Sequence, residues 1–278
     1  MIGGVTRLFF IGDIVGRPGR ELVRRGLSAL VGRHRVDLVI ANVENAAAGF
    51  GVTPDIAEEL FELGVHVMTG GNHIFDKKEI RPYFGEQPRL LRPANYPEGA
   101  PGRGLYVARA TNGVDVAVLN LMGRVFMTAL DDPFRAARFE VDAVRARAPI
   151  VFVDFHAEAT SEKVAMGWHL DGRVAAVVGT HTHVQTADER VLPQGTAYIT
   201  DVGMTGAHDS VIGVERSAIL QRFLTALPQR FETATENPRL HGVLIDADEA
   251  TGLAAAITRV SLSAGEIEAL AATAAPRP

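Results

Sequence analysis

Five apolar segments of the sequence are each followed by side chains that can bind a metal ion. These side chains are Asp13, Glu44 with Asn45, Asn72 with His73, His156, and His181 with His183. Carboxylates, imidazoles and amide oxygens form a mixed nitrogen and oxygen ligand set, which suits manganese, iron or zinc rather than calcium. Because the chain contains no cysteine, thiolate ligands, iron–sulfur clusters, disulfides and cysteine nucleophiles are excluded.

Each of these signals is weak when it is taken alone. An aspartate after a strand is more often a turn or helix-capping residue than a ligand, and an isolated histidine is more often structural. Glu44 and Asn45 precede an alanine-rich stretch and are equally compatible with a helix cap. The joint pattern is more specific, because side chains that can bind a metal ion follow five different predicted strands. We therefore predict one shared metal site.

Short apolar runs alternate with helical patterns along most of the chain, which is typical of an α/β fold. The predicted strands are residues 5–12, 37–43, 65–70, 104–110, 115–121, 150–155, 174–179, 196–200, 240–247 and 253–262. The predicted helices are residues 19–33, 54–63, 134–147, 161–168 and 215–226. Strands that are apolar on both faces need cover on both sides, so we predict layered mixed β-sheets with outer helices. Ligands of such folds bind at the carboxyl ends of the strands, where the candidate residues lie.

The composition is that of a globular enzyme with one domain. The 278 residues contain no repeat, low-complexity linker or charge block, so we predict a single domain over residues 1–270 and a flexible tail over residues 271–278. The net charge of −5 argues against binding to long nucleic acids but leaves small anionic ligands open. Asp13 interrupts the first apolar run, and no stretch reaches the ~18 apolar residues of a membrane span, so a cytoplasmic protein is expected.

The order of the candidate ligands resembles that of the calcineurin-like metallophosphoesterases. Their signature runs through an aspartate, an acidic bridging residue, Gly-Asn-His, a lone histidine and Gly-His-x-His. It is matched here by Asp13, Glu44, Asn72-His73, His156 and Gly179-Thr180-His181-Thr182-His183. The superfamily usually has a histidine two residues after the aspartate, where this sequence has Val15, and Gly-Asp where this sequence has Glu44-Asn45. These departures resemble the YmdB-like branch, and the resemblance extends to residues 120–124 and 201–206.

The resemblance implies an αββα sandwich of the metallo-dependent phosphatase fold with two metal ions. By this resemblance, one ion is bound by Asp13, Glu44, Asn45 and His183. The other is bound by Glu44, Asn72, His156 and His181, with Glu44 as the bridge. Iron or manganese is implied, and zinc is compatible with the residue types. The implied enzyme is a metal-dependent phosphodiesterase that acts on 2',3'-cyclic nucleotides, such as 2',3'-cyclic AMP, or on other small phosphoesters.

Such a site would hydrolyse the phosphoester by attack of a metal-bridging hydroxide, since two metal ions ~3.5–4 Å apart activate water and neutralise phosphoryl oxygens. The departing alkoxide needs a proton, and His73 is the candidate acid because a free imidazole has a pKa of ~6.5. Arg124 is a candidate for substrate binding, since a guanidinium matches phosphate oxygens. His208 is a second candidate, on the glycine-rich segment 203–213, which is typical of a substrate pocket or an oligomer contact. Four histidines are placed outside the site: His34, His66, His169 and His241.

Two other classes of function remain open on the sequence alone. A metal-dependent amidohydrolase also uses a His-x-His motif, although there it lies early in the chain, on the first strand of a barrel, and a bridging lysine accompanies it. A regulatory protein could retain the metal site to bind a nucleotide or a partner without hydrolysing it. Serine-hydrolase and P-loop motifs are absent from the sequence. A homo-oligomer is compatible with these features, and no aromatic residue is identifiable as a base-binding group.

Overall fold

Strands and helices alternate along the chain, and the computed structural model describes residues 4–274. Within this range the strands are β1 (Val5–Ile11), β2 (Leu38–Asn42), β3 (Val67–Thr69), β4 (Leu105–Arg109), β5 (Asp115–Met122), β6 (Ile150–His156), β7 (Ala176–Thr180), β8 (Arg190–Val191), β9 (Ala197–Ile199), β10 (Gly206–Ala207), β11 (Pro238–Asp248) and β12 (Ala254–Ser263). The helices are α1 (Gly16–His34), α2 (Pro54–Glu62), α3 (Ile80–Glu86), α4 (Pro133–Val144), α5 (Thr160–Leu170), α6 (Arg216–Thr225) and α7 (Ala264–Ala274). None of these helices is both long enough and apolar enough to cross a lipid bilayer.

The strands form two mixed sheets. In the first sheet, β1, β2 and β3 are parallel, β11 lies antiparallel beside β1, and β10 and β12 both pair with β11. In the second sheet, β5, β6, β7 and β9 are parallel neighbours, and β4 and β8 are antiparallel edge strands. The carboxyl ends of β1 and β7 meet across the two sheets, where the backbone N–H of His181 donates to Oδ2 of Asp13 at 3.3 Å.

Three apolar layers hold these elements together. Between the sheets, Phe10 of β1 packs against Phe152 of β6 with ring centroids 5.2 Å apart, and both side chains are buried. Helices α1, α2 and α7 cover the outer face of the first sheet through a cluster that includes Leu27 and Leu60. Helices α4 and α5 cover the second sheet through a cluster that includes Val141. The layers therefore follow the order helix, sheet, sheet, helix, which confirms the predicted sandwich.

The C-terminal segment differs from the prediction. Residues 271–274, which were predicted to belong to a flexible tail, are part of α7, and residues 275–278 lie outside the described residues. The alanine-rich sequence has no clear apolar period, but Ile267 is fully buried against α1. A Cβ atom at Gly26 of α1 would lie 2.8 Å from Cγ2 of Ile267, so the glycine makes room for the contact. Packing on α1 stabilises a helix that its local pattern does not predict.

Three short elements were also missed. Helix α3 lies in a proline-rich stretch for which no helix was predicted, and its Pro82 occupies the first turn, where no intrahelical N–H bond is lost. Strands β8 and β10 have two residues each, which is too short to produce an alternating pattern.

Helix α2 begins as predicted, because Pro54 is its first residue and Oγ1 of Thr53 accepts a hydrogen bond from the N–H of Ile56 at 3.4 Å.

Candidate metal centre and active-site cleft

The loops that follow β1, β2, β3, β6 and β7 bring the predicted ligands into one cluster. Each member has a side-chain atom within 4.0 Å of a side-chain atom of another member. The members are Asp13, Glu44, Asn45, Asn72, His156, His181 and His183. Parallel strands direct their carboxyl ends to one edge, and the second sheet places its own strand ends opposite those of the first. The fold thus supplies donors from both sides of a single centre.

Three donor atoms converge on the Nε2 atom of His156. This atom lies 2.9 Å from Oδ1 of Asn72, 3.1 Å from Oε1 of Glu44 and 3.1 Å from Nδ1 of His181. Donor atoms of Glu44, His156 and His181 all lie within 4.8 Å of one another. Since one cation could contact all four side chains, this group has the composition of the second predicted ligand set.

The remaining predicted ligands form a looser group beside Glu44. Nε2 of His183 lies 3.8 Å from Oδ1 of Asp13 and 3.2 Å from Nδ2 of Asn45. Nδ2 of Asn45 also donates to Oε1 of Glu44 at 3.2 Å. The amide nitrogen of Asn45 therefore faces the group, and coordination through the amide oxygen would require the amide to turn by about 180°.

The donors fit a metal centre. Oδ1 of Asp13 is buried and has no hydrogen-bond partner within the part of the chain that the structure describes. A buried carboxylate oxygen without a partner is costly, and a cation at this position would satisfy it. Carboxylate oxygens and imidazole nitrogens together suit manganese, iron or zinc.

Two opposing effects set the pKa values in the cluster. Burial disfavours the charged forms, whereas a neighbouring opposite charge favours them. Burial on its own raises the pKa of Glu44, but the adjacent His156 outweighs it and lowers that pKa to about 2. Burial likewise lowers the pKa of His156, and Glu44 with Asp13 raises it to about 9. Burial and the charge of His156 lower the pKa of His181 to about 3, so its ring is neutral and offers a lone pair. Glu44 is thus a carboxylate throughout the physiological range.

Buried polar side chains beneath the cluster hold its backbone in place. Asp201 is fully buried, pairs with Nζ of Lys163 at 2.6 Å and accepts hydrogen bonds from the N–H groups of Thr182 and Gly203 at 3.1 and 2.8 Å. Because Thr182 stands between His181 and His183, this carboxylate fixes the turn that carries both imidazoles. Both histidines adopt positive φ angles, of 99° and 65°, which shows how tightly the turn is wound.

His73 lies beside the cluster without its ring joining it. Its backbone N–H donates to Oε2 of Glu44 at 2.8 Å, and its ring Nδ1 lies 2.8 Å from Oδ2 of Asp76. The ring also packs edge-on against Phe50, with centroids 5.0 Å apart. Asp76 and Phe50 together orient the imidazole, which leaves Nε2 available for a proton. Its role as the acid stays a prediction.

A cleft of about 400 Å³ opens directly over the cluster. Glu44, Asn45, His73, His181 and His183 line one end of it. Other parts of its lining come from residues that the sequence analysis did not select, on α6 and the loops beside it: Ile212, Ile219, Arg222, Phe223 and Phe231. No local signal marks them, because they are ordinary apolar and basic residues until the fold places them in the same cleft as the donors.

The two predicted substrate-binding residues do not line this cleft. The guanidinium of Arg124 pairs with Asp132 at 3.1 Å, and its backbone N–H donates to Glu162. His208 lines a neighbouring cavity together with His183 and His241, and its ring meets that of His241 edge-on with centroids 4.5 Å apart. Substrate binding by either residue stays a prediction.

A family model described as the YmdB-like protein family matches residues 9–260 of the chain. The chain belongs to this family. The match covers every residue of the donor cluster, and it confirms the YmdB-like branch of the metallophosphoesterases that the ligand order had predicted.

Relatives of this YmdB-like protein include a 2',3'-cyclic-nucleotide 2'-phosphodiesterase from Bacillus subtilis, which is 51% identical over 92% of this chain and 97% of the relative. Among solved structures, a hypothetical protein from Thermus thermophilus has a TM-score of 0.86 and 43% identity over 93% of this chain and 99% of its own. A phosphatase from Mycoplasma pneumoniae has a TM-score of 0.88 and 32% identity over 94% of each chain.

These similarities decide the fold and the class of enzyme. The structural neighbours confirm the metallo-dependent phosphatase fold, and the relatives confirm the predicted class, a phosphodiesterase or phosphatase. The family implies divalent metal ions, which agrees with the donor cluster. Two packed sheets also replace the barrel that the amidohydrolase alternative requires.

Proposed function

We propose that this YmdB-like protein is a dinuclear metal-dependent phosphodiesterase that opens the cyclic phosphodiester of 2',3'-cyclic nucleotides. The observation that carries the proposal is the convergence of seven side chains of metal-binding type in one cluster, of which Glu44, Asn45, His181 and His183 line a cleft that also contains His73. The activity named for the Bacillus subtilis relative supports the choice of substrate.

Two sets of donors would hold the two ions. Asn72, His156 and His181 would hold one ion, Asp13, Asn45 and His183 would hold the other, and Glu44 would contribute to both sets. Bound ions of iron or manganese, with zinc as a compatible replacement, supply positive charge for the phosphoryl oxygens and lower the pKa of the attacking water. Glu44 suits a shared role, because its Oε1 lies close to a member of each set, 3.1 Å from Nε2 of His156 and 3.2 Å from Nδ2 of Asn45.

His73 supplies the proton that the leaving oxygen requires. As the oxygen of water bonds to phosphorus, the bond between phosphorus and the ribose 2' oxygen breaks, and the imidazole passes its proton to that oxygen. The product is a nucleoside 3'-monophosphate, and the proton released by the attacking water restores the imidazolium. Asp76 stabilises this charged form through its contact with Nδ1.

The proposal is tested by elemental analysis of the purified protein together with turnover assays. Turnover of 2',3'-cyclic AMP, 3',5'-cyclic AMP and an aryl phosphodiester is measured after addition of manganese or iron. We expect close to two metal ions per chain and the highest kcat/KM on 2',3'-cyclic AMP. A protein that binds no metal, or that turns over an amide and no phosphoester, contradicts the proposal.

A charge-neutral variant links turnover to the centre itself. Glu44→Gln removes the bridging charge and is expected to lose most of the turnover, whereas Glu62→Gln, an exposed site on α2, is the matched control and retains it. Unchanged turnover in Glu44→Gln would show that catalysis occurs elsewhere. A cellular effect that persists in an inactive Glu44→Gln variant would favour a regulatory, binding role.

A further inference from the structure

The cleft over the metal centre has two chemically different ends. Its inner end is polar and contains Glu44 and His73. Away from these groups, at the outer end, the lining is largely apolar and carries two phenylalanine rings, Phe223 of α6 and Phe231 of the segment after α6, with Glu232 next to Phe231 as its carboxylate. The cyclic phosphate of a substrate needs only the polar end. The outer end is therefore available to contact another part of the same molecule.

Helix α6 leaves apolar surface uncovered at this outer end. Ile219 is its buried residue, whereas Phe223 lines the cleft and remains 80% exposed. Ile212 also lines this cleft and is 52% exposed. Exposed rings and methyl groups at the rim of a cavity are unfavourable in water, and a flat apolar ligand would cover them.

Arg222 adds a cation to the same wall. Its guanidinium lies 5.1 Å from the ring centroid of Phe231, in a cation–π contact, and it has no carboxylate partner among residues 4–274. A guanidinium over an aromatic ring still has N–H donors that can reach acceptor atoms of a ligand. The wall therefore offers stacking faces and hydrogen-bond donors together.

We propose that Phe223, Phe231 and Arg222 form a nucleobase subsite, with Phe50 closing it on the side of His73. This proposal rests on the proposed function and deepens it, because it makes the aromatic base, and not only the cyclic phosphate, part of what the enzyme selects. A base is flat, has a π-face for the rings and has acceptor atoms at its edge for the guanidinium.

The position and size of the cleft favour a base over other occupants. The apolar wall is continuous with the reactive end, since the same cavity contains Glu44, His73 and Phe223. Its volume of about 400 Å³ falls within the range that holds a small organic ligand of nucleotide size. Phosphate held at the inner end would leave the base of the same molecule beside the phenylalanines.

The test compares a nucleotide with a cyclic phosphate that lacks a base. Phe223→Ala and Phe231→Ala are assayed on 2',3'-cyclic AMP and on glycerol 1,2-cyclic phosphate. We expect KM for the nucleotide to rise on the order of tenfold, with kcat nearly unchanged, because stacking on an aromatic ring contributes this much to binding a base. The kcat/KM for the base-free substrate should stay within about twofold of the unmodified enzyme.

Control variants separate the subsite from general effects. Phe139→Ala removes a ring of similar exposure, 73%, from α4, and it should leave both substrates unaffected. Phe223→Tyr retains the stacking face, so its KM for the nucleotide should stay close to that of the unmodified enzyme. Arg222→Ala should weaken nucleotide binding, whereas Arg216→Ala, on the same helix but outside the cleft, should not.

A binding measurement distinguishes failure of this proposal from failure of the proposed function. Calorimetry is used to compare adenosine 3'-monophosphate with inorganic phosphate. The unmodified protein should bind the nucleotide more tightly, and Phe223→Ala and Phe231→Ala should remove that advantage, even if neither cyclic substrate is hydrolysed. Equal affinity in all variants, or an equal loss on nucleotide and base-free substrate, overturns the subsite. If either variant changes the molecular mass of the protein in solution while its KM for the nucleotide stays unchanged, the phenylalanines contact a second copy of the chain. That result also overturns the subsite.

Discussion

Thr180 lies 2.9 Å from Nδ1 of His156 and donates its own hydroxyl proton to Oδ1 of Asp154 at 2.7 Å. Since the hydroxyl proton is directed to Asp154, the oxygen of Thr180 accepts the N–H of the imidazole. This contact fixes the tautomer of His156 and directs Nε2 toward Glu44, Asn72 and the other donors. The last residue of β7 therefore decides how a ligand at the end of β6 presents its nitrogen.

The first prediction concerns this contact. Thr180→Val removes the acceptor for Nδ1 while keeping the shape of the side chain, so the imidazole loses its fixed orientation. We expect metal affinity to fall by about 10–100-fold, as is usual for the loss of an outer partner of a ligating histidine. Competition with a chelator measures this change. Thr258→Val, at an exposed site on β12, is the control, and an equal effect there would refute the role of Thr180.

The second prediction concerns the glycine that precedes Asn72. A Cβ atom at Gly71 would lie 2.3 Å from Nε2 of His156 and 2.5 Å from Oε2 of Glu44, which no side chain tolerates. Gly71→Ala should therefore displace both donors, abolish metal binding and lower the stability of the fold. Elemental analysis and thermal unfolding check this outcome.

Gly85→Ala is the matched control for that substitution. Gly85 lies in α3 and an added Cβ would contact nothing within 4 Å, so the variant should keep its metal and gain roughly 0.5–1 kcal/mol of stability. Full metal content in Gly71→Ala would show that the donors can move without loss of the site.

The third prediction concerns proton transfer. His73→Ala should retain metal, because its ring is not among the converging donor atoms, and should lose about 10²–10⁴-fold in kcat on 2',3'-cyclic AMP. Metal analysis and turnover are measured on the same sample. His169→Ala removes an exposed imidazole on α5 and should change neither quantity. Loss of metal in His73→Ala would identify His73 as a ligand instead of an acid.

The fourth prediction concerns the buried ion pair beneath the histidine turn. Lys163→Met leaves the carboxylate of Asp201 buried without its cation, and we expect a loss of about 3–5 kcal/mol in the free energy of unfolding. Denaturation with urea measures this loss. Lys78→Met, at an exposed lysine, should change stability by less than about 0.5 kcal/mol. Similar stability in the two variants would show that the buried pair contributes little.

Much of the fold could be predicted because its signals are local. The apolar run of β6 and the Thr53-Pro54 start of α2 each specify their own element within a few residues. Helix α7 could not be predicted in this way, since its stability depends on the contact of Ile267 with Gly26, more than two hundred residues earlier in the chain.

The sequence by itself determined which donors are available and that they follow strands, because residue type and strand pattern are properties of neighbouring positions. The tertiary structure alone decided which side chains line the cleft together with the donors. Phe50 and Phe231 have no common pattern in the sequence, and Arg124 and Arg222 are equivalent basic residues until one meets Asp132 and the other lies on a ring beside the cleft. The physical reason is that the lining of a cavity is set by long-range packing of the two sheets and their loops, which no local periodicity records.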